Sequence, residues 1–124
     1  MHNRRPVFFN LTQIAMPIGA VTSIMHRITG VVLALGIPCA LYVLQLSLRD
    51  EEGYLRAVGL LSSLPSKALA AFFVWVFIYH CLAGVRHLLS DMDVGAHLNS
   101  ARLSAWFVNG SAVAIALLCI GVFF

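Results

Sequence analysis

Charged residues are scarce in this chain, and this scarcity indicates its class. Aspartate, glutamate, lysine and arginine together make up 10% of its 124 residues, whereas apolar residues make up 60%. A soluble domain of this size could not cover so much apolar surface with so few charges. The composition therefore excludes a water-soluble enzyme and predicts a single integral membrane domain that comprises residues 1–124.

Basic runs and paired cysteines are also absent. The net charge is only +3 and the basic residues are dispersed along the chain, so we expect no nucleic-acid partner. The three cysteines are odd in number and lack the spacing of metal ligands, which argues against a disulfide framework. The sequence shows no nucleophile–base pair, phosphate-binding loop or carboxylate cluster, so we expect no complete active site in this chain alone.

Three apolar runs dominate the sequence, and they follow Arg27, Lys67 and Arg102. Each run has the roughly 20 residues that an α-helix needs to cross a bilayer. Because a helix satisfies its own backbone groups in lipid, we predict an all-α fold with three transmembrane helices and an N-terminal surface arm. The predicted bounds are 1–22 for the arm and about 23–48, 66–90 and 102–124 for helices I, II and III.

The lysines and arginines predict the orientation of these helices. Five arginines fall on the side of the N-terminus, and three basic residues fall on the opposite side. Because positive loops stay in the cytoplasm, we predict a cytoplasmic N-terminus and a C-terminus across the membrane. The start of helix I and the end of helix II then share one depth, which brings two distant polar clusters together.

The cluster at the end of helix II reads His80-x-x-x-Gly84-x-Arg86-His87-x-x-x-Asp91. Ionisable residues inside a span are expensive and commonly mark a site. The spacing puts His80, Gly84 and His87 on one helical face. His80 could bind a haem iron, for which imidazole is a common ligand, while Gly84 would leave room for the porphyrin.

The outer residues of this cluster allow more than one interpretation. His87 lies about 10 Å beyond His80 along the helix, which is too far to bind the same iron. It suits a haem propionate at the membrane edge, as do Arg86 and Arg27. Asp91 could cap His87, pair with Arg86 or form an ordinary surface pair. His80 itself could instead hydrogen-bond between two helices.

The cluster at the start of helix I consists of Ser23, His26 and Arg27. Spacings of three and four residues place a hydroxyl, an imidazole and a guanidinium on one helical face. These donors could bind the carbonyl of a quinone that enters from the lipid, and their effect grows as negative charge develops during its reduction. Alternatively, Arg27 reaches the lipid headgroups and Ser23 caps the helix.

Together the two clusters resemble the signatures of the cytochrome b membrane-anchor subunit of succinate dehydrogenase, or respiratory complex II. The first signature runs Arg5-Pro6-Val7, Leu11, Ile18, Ser23 and His26-Arg27-Ile28-Thr29-Gly30, complete in order and spacing. The second runs His80-x-x-x-Gly84-Val85-Arg86-His87-Leu88-x-x-Asp91. It departs from the family pattern at Ser90, where an aromatic residue or methionine is usual, and this departure affects packing while leaving the ligand intact.

The resemblance implies a role for each residue of the two clusters. An axial ligand of haem b is expected at His80, with the opposite ligand supplied by a sister anchor subunit. The haem propionates are expected near His26, Arg27 and His87. The ubiquinone site is expected to include Ser23, Ile24 and Arg27. Packing roles around the haem are expected for Gly84, Arg86 and Asp91.

The resemblance also implies partners and a location. Electrons would pass from succinate through FAD and iron–sulfur clusters, held by a flavoprotein subunit and an iron–sulfur subunit, to ubiquinone at this anchor. The complex would lie in the lipid bilayer of a bacterial inner membrane, or of mitochondria with the matrix taking the place of the cytoplasm, and such complexes can form trimers. Two alternatives stay open: a haem-free structural anchor of the quinol:fumarate reductase type, and a proton-relaying transporter or assembly protein, which usually shows inverted repeats.

Overall fold

The computed structural model describes residues 15–123. Most of the predicted arm lies outside this range, including the signature residues Arg5, Pro6, Val7 and Leu11. Within the described residues the chain forms four helices and no strand. Their bounds are Ile18–Ser47 for α1, Glu51–Ser62 for α2, Leu64–Asp91 for α3 and Leu98–Phe123 for α4.

Three of the four helices, α1, α3 and α4, are long and apolar enough to cross a membrane. This finding confirms the predicted all-α fold with three spans. Their surfaces are mostly apolar and exposed in the isolated chain; Leu35 and Leu103, for example, are each 72% exposed. Such surfaces fit lipid or another membrane subunit, because neither requires polar cover.

The first helix begins at Ile18, earlier than the predicted start near residue 23. Pro17 precedes it, and the Pro17 carbonyl accepts a hydrogen bond from Ala20 N at 2.9 Å. Polar residues suggested an arm here, but Thr22 is fully buried and donates its hydroxyl proton to the Ile18 carbonyl. Ser23 therefore lies inside the helix and does not cap it.

The structure also contains α2, which lies between predicted helices I and II, where the sequence analysis assigned no helix. Asp50 caps this helix by accepting a hydrogen bond from Gly53 N at 2.6 Å, and Glu51 and Glu52 fall in its first turn. Acidic residues favour a helix N-terminus. Gly53 packs so tightly on the end of α1 that a Cβ there would overlap the Leu46 carbonyl oxygen.

Small side chains let the three long helices approach one another. Tyr79 and Ala83 of α3 pack against Val108 and Ala112 of α4, and all four are buried. Ala105 of α4 is completely buried as well. Helices in lipid associate through close packing of this kind, since no hydrophobic force drives them together.

A polar network crosses the interior of this bundle. Asn109 of α4 donates to Thr22 Oγ1 of α1 at 2.6 Å and to its own helix at the Ala105 carbonyl at 2.8 Å. Tyr79 of α3 donates its hydroxyl proton to Asn109 Oδ1 at 3.1 Å. The network joins all three spans and fixes the turn of α1 that precedes Ser23.

Candidate functional site

The structure brings the two polar clusters into direct contact, as predicted from their shared depth at the start of one span and the end of the next. His80 of α3 is half-buried, and its ring faces α1. Its Nδ1 atom lies 3.1 Å from the His26 carbonyl oxygen and 3.1 Å from Thr29 Oγ1. The His80 side chain therefore reaches the backbone and the side chains of the first cluster.

These contacts determine which nitrogen of His80 carries the proton. A carbonyl oxygen can only accept, so Nδ1 must be the N–H that donates to His26. Nε2 then carries the lone pair, and within residues 15–123 it makes no hydrogen bond. The lone pair of Nε2 could consequently bind a metal.

Gly30 makes room for this arrangement. A Cβ at Gly30 would lie only 3.1 Å from Cε1 of His80, which is closer than ordinary van der Waals contact. Thr29 and Gly30 are adjacent in the signature, and the two act on the same ring. One contacts its Nδ1 atom, and the other leaves the space that the ring occupies.

His26 lies between the other two histidines. Its ring stacks on His80 with centroids 4.1 Å apart and planes inclined by 16°. Its centroid lies 5.1 Å from that of His87, with an angle of 49° between the planes. Gly84 was predicted to leave room for a porphyrin, and this stays a prediction. A Cβ at Gly84 would lie 3.3 Å from Nε2 of His26. Gly84 thus accommodates the central imidazole of a row of three.

The outer histidine of this row has an unsatisfied polar atom. Nε2 of His87 is buried and has no hydrogen-bond partner among the described residues. Asp91 is exposed and forms no ion pair with Arg86 and no hydrogen bond with His87 in the described part of the chain. A buried polar atom normally has a partner, so His87 Nε2 points to one outside the described residues.

Arg86 is directed toward α4. Its Nε atom donates to Ser104 Oγ at 3.2 Å, and its Nη2 atom donates to the Ala101 carbonyl at 3.2 Å. The guanidinium also passes close to Gly19, where a Cβ would lie 3.3 Å from Nη2. These contacts give Arg86 a packing role that ties the end of α3 to both neighbouring spans.

Ser23, Ile24 and Arg27 form a separate, more open face of α1. Ser23 is half-buried, Ile24 is 40% exposed and Arg27 is exposed. Within residues 15–123 neither the Ser23 hydroxyl nor the Arg27 guanidinium makes a hydrogen bond. The hydroxyls of Thr22 and Thr29 differ, because both bond to backbone carbonyls of α1. Neither donor is therefore engaged by another described residue.

The donor set restricts the kind of metal that could bind here. Among residues 15–123 no three His, Cys, Asp or Glu side chains are placed to hold a metal ion. The arrangement instead offers two imidazole nitrogens that have no hydrogen-bond partner among these residues. They are His80 Nε2 and the buried His87 Nε2. This set fits a metal that brings most of its own ligands and carries acidic substituents, as haem does.

Sequence reasoning missed three residues that build this site: Thr29 as a contact of His80, and Thr22 and Asn109 in the polar network. Thr29 was visible only as part of a signature. Thr22 is the last residue of the predicted arm and Asn109 lies within predicted helix III, where a polar residue in lipid can signal an interhelical hydrogen bond. Their partnership depends on helix packing, which the sequence does not display.

Comparison with known proteins gives consistent similarities. The family model described as "Succinate dehydrogenase/Fumarate reductase transmembrane subunit" matches residues 1–121, a range that includes both clusters. The succinate dehydrogenase cytochrome b556 subunit of Paracoccus denitrificans is 32% identical over 120 residues, which cover 97% of this chain and 92% of the relative. The subunit of the same name from Coxiella burnetii is 34% identical over 112 residues, or 87% of each chain. The succinate dehydrogenase cytochrome b560 subunit of Reclinomonas americana is 30% identical over 123 residues, covering 95% of this chain and 85% of the relative.

Proposed function

Because this chain belongs to the family of succinate dehydrogenase and fumarate reductase transmembrane subunits, we propose that it binds haem b through His80 and helps to reduce ubiquinone at Ser23 and Arg27. It does so as a cytochrome b anchor within a succinate dehydrogenase complex. The chain contributes to a quinone site whose other residues come from partner subunits.

The hydrogen bond from His80 Nδ1 to the His26 carbonyl carries this proposal. A histidine that binds a metal almost always donates its other N–H to a carbonyl or carboxylate, which fixes the ring and its tautomer. His80 has this arrangement, and its Nε2 atom has no partner in the described residues. The iron would bind at Nε2, and the opposite axial ligand would come from a sister anchor subunit.

The neighbouring histidines suit the acidic edge of the same group. A propionate oxygen would satisfy the buried Nε2 atom of His87. His26 and Arg27 are consecutive residues of α1, and the ring centroid of His26 lies 5.1 Å from that of His87. The bound haem would supply one-electron redox chemistry. The residues of this chain hold it, neutralise its carboxylates and orient its ligand.

Ser23 and Arg27 are proposed to bind a quinone carbonyl. The two side chains lie one helical turn apart on α1, and neither donor is engaged by another described residue. Ile24 offers an exposed apolar wall beside them. A hydroxyl and a guanidinium stabilise negative charge on a carbonyl oxygen more strongly as that charge develops. The iron–sulfur subunit and the sister anchor would complete the site.

The remaining parts of the proposal concern assembly. The partners are a second small anchor, an iron–sulfur subunit and a flavoprotein that holds FAD. The complex lies in an inner membrane, with the N-terminus and the two polar clusters on the cytoplasmic or matrix side. The exposed apolar faces of α1, α3 and α4 support contact with lipid and with the second anchor.

A reduced-minus-oxidised spectrum of the purified complex tests the haem assignment. We expect a b-type α band in the wild type, its loss or weakening in His80→Leu, and its retention in His97→Leu. His97 is a matched control because it is exposed and lies between α3 and α4, outside the row of three imidazoles. An unchanged band in His80→Leu would remove His80 as the ligand. A wild-type complex without any band would make this chain a haem-free anchor.

A further inference from the structure

We propose that Thr29 is a positioning residue that, with the His26 carbonyl, sets the reduction potential of the haem iron bound at His80. This inference rests on the proposed function, since it requires His80 to be the ligand. It assigns a chemical role to a side chain that touches neither the iron nor the quinone. The role follows from the hydrogen bonds around a single nitrogen atom.

Thr29 is almost completely buried, with 2% of its surface exposed. Its hydroxyl lies 2.9 Å from the carbonyl oxygens of both Met25 and His26, and it donates its proton to these two oxygens. The lone pairs of the hydroxyl oxygen then face His80 Nδ1 at 3.1 Å. The Nδ1–H of His80 is therefore shared between two acceptors, the Thr29 hydroxyl and the His26 carbonyl.

A threonine inside a helix commonly bonds only to the carbonyl one turn earlier. Thr29 makes that bond and also contacts an imidazole 51 residues away in sequence. Water has little access to this position because Thr29 is buried and the His26 ring stacks on His80. In such surroundings the strength of the Nδ1 hydrogen bonds depends on the protein acceptors alone.

These acceptors act on iron through the imidazole ring. An N–H that donates strongly makes the opposite nitrogen more basic, and a more basic ligand stabilises ferric iron relative to ferrous iron. Two acceptors at Nδ1 therefore lower the reduction potential of the bound haem. Removal of the Thr29 hydroxyl leaves only the His26 carbonyl, and the potential rises.

The chain contains a control for this effect. Ser111 lies on α4, is half-buried, and its hydroxyl donates to the Phe107 carbonyl of its own helix at 2.7 Å. Ser111→Ala thus removes a helix-bonded hydroxyl without altering the acceptors of Nδ1 or the polar network that holds α1.

A redox titration of the haem α band in the purified complex tests the proposal. We expect Thr29→Val, which keeps the shape of the side chain, to shift the midpoint potential to a more positive value. Thr29→Ser, which keeps the hydroxyl, should restore the wild-type midpoint, and Ser111→Ala should leave it unchanged. The g values of the ferric haem in electron paramagnetic resonance should change only in Thr29→Val, because they report the ligand field at iron.

The outcomes separate this inference from the proposed function. Thr29→Val with bound haem and a wild-type midpoint would overturn the role of Thr29 while leaving His80 as ligand. A wild-type complex without haem would instead overturn the haem assignment itself. If Thr29→Val loses haem altogether, the Thr29→Ser variant decides between the two explanations. Thr29→Ser with haem at the wild-type midpoint potential supports the role of the hydroxyl. Loss of haem in both variants contradicts it.

Discussion

The Nδ1 atom of His80 lies 3.1 Å from the backbone oxygen of His26, and this bond joins the polar clusters of two membrane spans. The ring of His26 stacks on the ring of His80, while its carbonyl orients that same ring. His26 thus acts on its neighbour through both backbone and side chain. The orientation of α1 about its axis therefore determines whether His80 is correctly placed.

The quinone assignment predicts a selective loss of activity. Ser23→Ala and Arg27→Ala should each lower electron transfer to ubiquinone, by about 10-fold or more if a hydrogen bond to the developing charge is lost. Succinate oxidation with a soluble artificial acceptor should persist, because that reaction bypasses the anchor. Steady-state rates with the two acceptors, measured on the same preparation, give the comparison.

Ser111→Ala is the control for Ser23→Ala. Ser111 is half-buried in α4, and its hydroxyl donates to the Phe107 carbonyl of its own helix at 2.7 Å. Its removal should leave both activities at the wild-type level. Ser23→Ala and Arg27→Ala variants with full ubiquinone reductase activity would contradict the assignment of these residues to the quinone site.

We predict that a side chain at Gly30 would displace His80, the proposed haem ligand. Alanine at this position would place a Cβ 3.1 Å from His80 Cε1 and displace the ring. We expect Gly30→Ala to weaken haem retention by roughly 10-fold, the lower end of what lost outer-shell support causes at metal sites. Haem content per complex, measured after detergent extraction and washing, reports this loss.

Gly110→Ala is matched to this variant because both glycines lie within helices. A Cβ at Gly110 would meet nothing within 4 Å. Both substitutions gain the same helix propensity, about 1 kcal/mol, so only the contact with His80 differs. Equal haem content in the two variants would show that Gly30 does not determine where His80 sits.

The sequence predicted the three spans and the meeting of their polar clusters, because hydropathy and charge bias depend on composition along the chain. It did not predict which way each helix faces. Apolar residues surround α3 and α4 on all sides, so no stripe marks the face that packs inward. For this reason the sequence did not predict that Gly84 lies against the His26 ring, a contact that the structure adds to its predicted place beside a porphyrin. The missed helix α2 is a different case, since Asp50 before Glu51 is a recognisable start signal.

We predict that the contact between α1 and α3 cannot accept a residue larger than glycine at position 36. A Cβ at Gly36 would overlap the ring of Phe73, and crowding of this kind costs about 1–3 kcal/mol. Gly36→Ala should therefore lower the midpoint temperature at which the detergent-solubilised complex dissociates. The second-site change Phe73→Leu should restore part of the loss, whereas Gly59→Ala, where a Cβ meets nothing within 4 Å, should have no such effect.

The variant Asn109→Leu measures what the buried polar network contributes to stability and to quinone reduction. Asn109→Leu removes the bonds to Thr22 and Tyr79 and leaves the buried Tyr79 hydroxyl without its acceptor. Interhelical hydrogen bonds in membranes contribute about 1 kcal/mol each, and a buried unsatisfied group adds to the loss. We expect a lower dissociation temperature and a weaker ubiquinone reductase activity, because the network fixes the turn of α1 that carries Ser23.

Tyr79→Phe should lower stability with less effect on quinone reduction, since Asn109 still holds Thr22. Equal losses of quinone reduction in both variants would show that the network stabilises the bundle without positioning Ser23.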